Sequence, residues 1–126
     1  MNQGRKHRIL VIEDEETVRK NLVRLLDLEG YRVEEAANGA EGVAAALSRK
    51  PDLVICDIGM PGLNGFGVLA RLRAEPATAG IPFVFLTASA EAQDESTGYK
   101  LGADEYVVKP FDTATLTTLI RQKLSA

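Results

Sequence analysis

Ile9-Leu10-Val11-Ile12-Glu13-Asp14, residues 9–14, decides the fold. A continuous apolar run rich in β-branched residues is the pattern of a strand buried on both faces, and such strands belong to parallel sheets covered by helices. The run stops abruptly on two acids. From Glu15 onward Val18, Leu22, Leu25 and Leu26 recur at helical spacing, acids in the first turn favour the helix dipole, and Gly30 fits a C-terminal cap. The chain therefore opens as strand, acidic turn, helix.

The same unit repeats. Tyr31-Arg32-Val33-Glu34-Glu35-Ala36 reads as a partly exposed second strand, and Asn38-Gly39 turns into an Ala-rich helix around Val43 and Leu47 that ends before Pro51. Asp52-Leu53-Val54-Ile55-Cys56-Asp57 is a third strand, Gly59-Met60-Pro61-Gly62-Leu63-Asn64-Gly65 a loop, and Val68, Leu69 and Leu72 mark a third helix. Beyond the linker Glu75-Pro76-Ala77-Thr78-Ala79-Gly80, Phe83-Val84-Phe85-Leu86-Thr87 gives a fourth strand and Glu105-Tyr106-Val107-Val108-Lys109 a fifth. Between these two strands, residues 91–100 predict a helix with few large apolar residues and with Ser96, Thr97 and Gly98, hence the most mobile element. A last helix from Asp112 or Thr113 carries Leu116, Leu119, Ile120 and Leu124 on one stripe.

Parallel strands need crossover helices, and right-handed crossovers cover both faces of the sheet. The expected fold is α/β, a flavodoxin-like, doubly wound five-stranded parallel sheet of order 2-1-3-4-5. Residues 1–7, basic through Arg5 and Lys6, are expected as a disordered tail, and residues 8–126 as one domain. Across 126 residues, 15 Lys+Arg stand against 18 Asp+Glu, a net charge of −3, with 45% hydrophobic residues, the balance of a globular core. Mild acidity argues against direct nucleic-acid binding and against a membrane surface, and no run of about 18 apolar residues exists for a membrane span. The lone Cys56 cannot form an internal disulfide, so a reducing compartment, the cytoplasm, is expected.

In open parallel sheets ligands sit at the carboxyl ends of the strands. Those ends carry Glu13 and Asp14, Asp57, Thr87 and Lys109. Any one of them taken alone is an ordinary strand-end residue or helix cap. With strands one and three adjacent, Glu13, Asp14 and Asp57 converge, and three repelling carboxylates require a cation. An all-oxygen site with room for water suits Mg²⁺, with Mn²⁺ able to substitute, better than zinc. An anion bridging that ion, Lys109 and the Thr87 hydroxyl is how a phosphoryl group in transfer is stabilised, and Asp57 could be the nucleophile that forms an acyl phosphate.

These residues, with Met60-Pro61 and Gly65 following Asp57, Ala88 following Thr87, and Tyr106 leading into Lys109-Pro110, make the sequence resemble the receiver domain of two-component response regulators, over residues 8 to about 124. The resemblance is closest to single-domain chemotaxis-type receivers. It implies that Asp57 is the phospho-acceptor, Asp14 a direct metal ligand, Glu13 a second acid acting largely through metal-bound water, and the Gly59 carbonyl a further ligand. It implies that Thr87 hydrogen-bonds the phosphoryl group, that Lys109 ion-pairs with it, that small Ala88 lets an anion approach the backbone, and that Tyr106 is an aromatic switch. A cis Lys109–Pro110 peptide is also implied, as proline permits. The partners implied are a sensor histidine kinase or phosphotransfer protein upstream, and a downstream protein target or an output domain absent from this chain. The signalling face would be the fourth helix, fifth strand and last helix, in a monomer or a phosphorylation-dependent dimer.

One position departs from the commonest family pattern: Gly59 stands where related domains often carry a larger side chain, which leaves the acceptor more open to water. Cys56, alternating with Asp57, is expected to be buried on the opposite side; His7 belongs to the basic tail; Arg71, Arg73 and Arg121 are expected on solvated helix faces with no role. The competing reading is a small aspartyl-nucleophile phosphohydrolase. Such an enzyme needs a second acid two residues beyond the nucleophile, where Gly59 stands. A flavodoxin-type nucleotide or flavin site is opposed by the acids after strand one and by the lack of a phosphate-cradling glycine loop there. The chain either acts alone through protein contacts or belongs to a longer one.

Overall fold

The computed structural model describes residues 6–125. Five strands alternate with five helices: β1 (Arg8–Ile12), α1 (Glu16–Leu28), β2 (Arg32–Ala36), α2 (Gly39–Arg49), β3 (Leu53–Cys56), α3 (Gly65–Ala74), β4 (Phe83–Thr87), α4 (Ala92–Leu101), β5 (Glu105–Val108) and α5 (Thr113–Ser125). All strand pairs are parallel and the order is β2-β1-β3-β4-β5, the doubly wound sheet the sequence predicts. Of the tail expected over residues 1–7, residues 1–5 lie outside the described residues, while the His7 carbonyl accepts from Arg32 N at 2.9 Å.

Alternation along each central strand divides the core into two layers. Leu10, Ile12, Val54, Cys56, Phe83 and Phe85 face one side, where Val43 and Ala46 of α2 and Val68, Leu69 and Leu72 of α3 cover them. Ile9, Val11, Leu53, Ile55, Val84 and Leu86 face the other, against Leu22 and Leu26 of α1 and Leu116 and Ile120 of α5. Cys56 thus lies in the buried layer away from solvent, as alternation predicts. Helix starts follow local chemistry: Asn38 and Asn64 each accept a backbone N–H three residues on, from Glu41 at 2.8 Å and Gly67 at 2.9 Å. Asn38 therefore caps α2, where the sequence reading makes it half of a turn.

The thin helix α4 closes on the sheet through a close approach. A Cβ at Gly98 would stand 3.1 Å from the Phe85 ring and 3.5 Å from that of Tyr106, so glycine lets the α4 backbone lie directly on two aromatic faces. The residue that lowers helical propensity is the one that permits packing.

Arg73 overturns its expected place on a solvated face without a role. Its guanidinium uses all its donors, to the carbonyls of Ala79, Ile81 and Gly102 and to the Asp104 carboxylate, at 2.7 to 3.2 Å. Asp104 in turn accepts from Phe83 N at 2.7 Å. One side chain thereby ties the end of α3, the start of β4 and the α4–β5 turn together, because only a planar fork can serve several carbonyls at once. Arg73→Ala is expected to cost about 2–3 kcal/mol, the scale of charge-assisted hydrogen bonds left unmade. Arg73→Lys should recover only a minor part. Urea unfolding midpoints at unchanged slope are the check.

Candidate functional site

Sheet register alone brings the strand ends of the site together. β1 and β3 pair Ile12 with Cys56, and the Asp57 N–H donates to the Ile12 carbonyl at 3.1 Å, so the residues that follow, Glu13 and Asp57, emerge side by side. β4 and β5 pair Thr87 with Val108, and the Lys109 N–H donates to the Thr87 carbonyl at 2.8 Å. The chain thus sets Glu13, Asp57, Thr87 and Lys109 along one carboxyl edge. Behind Asp57 the returning loop packs tightly: a Cβ at Gly65 would collide with the Asp57 carbonyl oxygen and come within 2.8 Å of Ile58 Cα.

Carboxylate oxygens of Glu13, Asp14 and Asp57 lie within 4.8 Å of one another. Glu13 is buried, Asp57 half-buried and Asp14 exposed, so the cluster opens to solvent at Asp14. The Lys109 ammonium donates to Glu13 Oε1 at 3.0 Å and stands 3.7 Å from Asp57 Oδ2. Glu13 Oε2 accepts from Glu15 N at 3.1 Å, and Asp57 Oδ1 accepts from Ile58 N at 2.7 Å. Burial pushes the Glu13 carboxyl above its ordinary value; the Glu15 N–H and Lys109 pull it back only in part, and Asp57 adds repulsion. Burial, with Asp57 and Glu13 nearby, also pushes the Cys56 thiol well up, which leaves it inert.

Thr87 is buried at the end of β4, and its hydroxyl oxygen accepts from Ser89 N at 3.3 Å. Ala88 beside it is exposed, as is Gly59, two residues beyond Asp57, where a Cβ would meet nothing within 4 Å. Tyr106 is half-buried on β5, its ring 6.0 Å from that of Phe85, and its hydroxyl donates to the Ser89 carbonyl at 2.9 Å. The Lys109–Pro110 peptide bond is cis. Arg121 lies outside this edge, its nearest acid Glu29 at 3.9 Å.

Two residues that sequence reasoning does not single out hold this arrangement. Arg19 of α1, its side chain 12% exposed, donates to the Glu13 carbonyl at 2.9 Å and to Glu35 of β2 at 2.8 Å, and so anchors the acidic turn. The two hydrogen bonds hold the Glu35 carboxyl below its ordinary range, that from Arg19 first and that from Lys20 second. No local pattern announces Arg19, because its partners reach it through the β1–β2 pairing. Ser89 is the other, and its spacing before the acids that open α4 is the only trace it leaves in the sequence.

An acidic cluster beside a buried hydroxyl and an ammonium, at the carboxyl edge of a doubly wound sheet, is the arrangement that the receiver resemblance implies. The model of the response regulator receiver domain matches residues 9–121, and the chain belongs to that family, a module of two-component signalling. It is 39% identical to the protein PilH of Pseudomonas aeruginosa, over 94% of this chain and 98% of that one. It is 41% identical to a probable transcriptional regulator ycf27 of Pyropia yezoensis, over 97% of this chain. The chain spans about half the length of such curated transcriptional regulators, 49% in that case. Among solved structures, a putative response regulator from Chloroflexus aurantiacus matches with a TM-score of 0.92 at 32% identity, over 97% of this chain and all of that one. The receiver domain of a sensor histidine kinase from Pseudomonas aeruginosa, with magnesium coordinated in its active-site cleft, matches at 0.90 and 27%, over 97% of this chain and 100% of that one.

Burial of Glu13 makes stability at this edge depend on pH. The stability it contributes is fully present below the ordinary 4.5 and is lost as pH rises through the raised folded value. Glu13→Gln keeps that position neutral throughout, and Lys109 retains Asp57 as a neighbour. Metal-free Glu13→Gln is therefore expected to melt a few degrees above the parent at pH 7, with the gap closing on acidification towards 4.5. Added Mg²⁺ should stabilise the variant less than the parent. Thermal melts across pH, with and without Mg²⁺, measure all three.

Proposed function

We propose that this receiver takes a phosphoryl group from the phosphohistidine of a sensor histidine kinase or phosphotransfer protein onto Asp57. The observation that carries the reading is the Asp57 carboxylate, one oxygen held by the Ile58 N–H and the other facing Lys109 inside the acidic cluster. The free oxygen attacks phosphorus; a P–O bond forms as the P–N bond breaks, and the imidazole leaves with that electron pair. Glu13, Asp14, Asp57 and the Gly59 carbonyl would hold Mg²⁺, or Mn²⁺ in its place. Their donors fit, being oxygens alone, gathered within 4.8 Å for the three carboxylates and open to water on the Asp14 side. Bound there, the ion offsets the carboxylate charge that would otherwise repel the incoming phosphoryl oxygens.

Lys109 exchanges part of its pairing with Glu13 for the phosphoryl dianion, and Thr87 donates its hydroxyl proton to a phosphoryl oxygen while Ala88 leaves the approach clear. Differential binding then favours the conformation in which those contacts are made, and Tyr106, α4 and α5 present the changed face to a protein target in the cytoplasm. The chain catalyses its own phosphorylation and dephosphorylation and turns over no other substrate. The site has no acid at position 59 to serve a phosphohydrolase, and its bare glycine leaves a path for water to the acyl phosphate.

Intact-mass measurement after incubation with acetyl phosphate is the test. One adduct is expected with Mg²⁺, none with chelator, and none in Asp57→Ala; turnover of the donor by Asp57→Ala would overturn the assignment. Gly59→Met is expected to slow loss of the adduct several-fold, read as its decay after the donor is removed. An unchanged decay would refute the open-path argument alone.

A further inference from the structure

α4 begins without a cap of its own. Its N-cap, Glu91, makes no side-chain hydrogen bond to the helix, although a first turn normally takes one from an upstream Ser, Thr, Asp or Asn. Ser89, outside the helix, is tied to its start through the Glu91 N–H and the Asp94 side chain. Its hydroxyl donates to Asp94 Oδ2 in the first turn at 2.6 Å and accepts from Glu91 N at 3.4 Å. The first bond is within the short range of a charge-assisted hydrogen bond, and both residues are half-buried, where such a bond is least screened. The backbone of the same residue reaches the site: its N–H donates to the Thr87 hydroxyl oxygen, and its carbonyl accepts from the Tyr106 hydroxyl.

We infer that Ser89 is the positioning residue through which the phosphoryl-binding hydroxyl of Thr87 and the ring of Tyr106 are coupled to the start of α4. The inference rests on the phosphoryl reading given above. A phosphoryl group that draws in the Thr87 hydroxyl displaces the acceptor of the Ser89 N–H. Residue 89 follows, and its hydroxyl carries Asp94 and the uncapped first turn with it. Tyr106 is bonded to the Ser89 carbonyl and so reports the same displacement. The Ser89 hydroxyl itself makes both its hydrogen bonds on the helix side, so its removal leaves the backbone links to Thr87 and Tyr106 in place and breaks only the link to α4.

The test follows amide hydrogen exchange of peptides covering α4, with intact mass read on the same samples, in Mg²⁺ with and without acetyl phosphate. The parent is expected to take up one phosphoryl group and to change its α4 exchange. Ser89→Ala should reach the same adduct level while losing most of that change; Ser89→Thr, which keeps the hydroxyl, should retain it. Asp94→Ala should match Ser89→Ala, and the double variant should be no worse than either single one, as expected of two ends of one bond. A fully phosphorylated Ser89→Ala with the parent's α4 response overturns the coupling and leaves the phosphoryl reading standing. So does a Ser89→Ala whose α4 exchanges faster by the same factor with and without the donor, which marks a merely structural cap. A parent that takes up no phosphoryl group overturns both.

Discussion

Three carboxylates and one ammonium share the carboxyl edge of this sheet, and that imbalance is the constraint on which the rest depends. Lys109 cannot neutralise Glu13, Asp14 and Asp57 together; it sits 3.0 Å from the first acid and 3.7 Å from Asp57. The surplus negative charge is tolerable because Asp14 is exposed, because two backbone N–H groups serve Glu13 and Asp57, and because a divalent cation has oxygens ready to hold it. A site that is electrostatically unfinished is poised to bind a cation. Stability is surrendered there, and the two apolar layers on either side of the sheet supply the compensation.

Such a cluster can be held only by a rigid frame. β1 and β3 are buried on both faces, and the register that aligns Ile12 with Cys56 is held by the close packing of helices against each layer. Arg19 then secures the turn that follows β1, and the close fit of Gly65 against the Asp57 carbonyl secures the loop that follows β3. Each acid is thus positioned by strand pairing and braced by a contact from elsewhere in the chain.

That division explains what could be read from the sequence. Apolar runs and helical stripes are properties of neighbours along the chain, so all five strands, the layers of the core and the strand-end residues Glu13, Asp14, Asp57, Thr87 and Lys109 are legible there. Arg73 and Arg19 are not. Both carry long side chains with partners far along the chain, Glu35 for Arg19 and Gly102 and Asp104 for Arg73, and on a helical wheel they look like ordinary charged surface. Gly98 misleads for the opposite reason: its low helical propensity is visible locally, while the Phe85 ring that requires its missing side chain comes from another element.

The two ends of α4 are held differently. Its C-terminal end is gripped by Arg73, which holds the Gly102 carbonyl with two donors and Asp104 with a third, and by the αL turn at Gly102. Its N-terminal end has no side-chain cap from Glu91 and is tied towards the site by the Ser89–Asp94 hydrogen bond. Displacement is therefore cheap at one end and costly at the other, and the aromatic contacts of Phe85 and Tyr106 at Gly98 lie between the two. A helix with a stronger apolar stripe would pack more firmly and respond less. The sparse face of residues 91–100 leaves α4 held by its C-terminal contacts to Arg73 and by the aromatic contacts at Gly98.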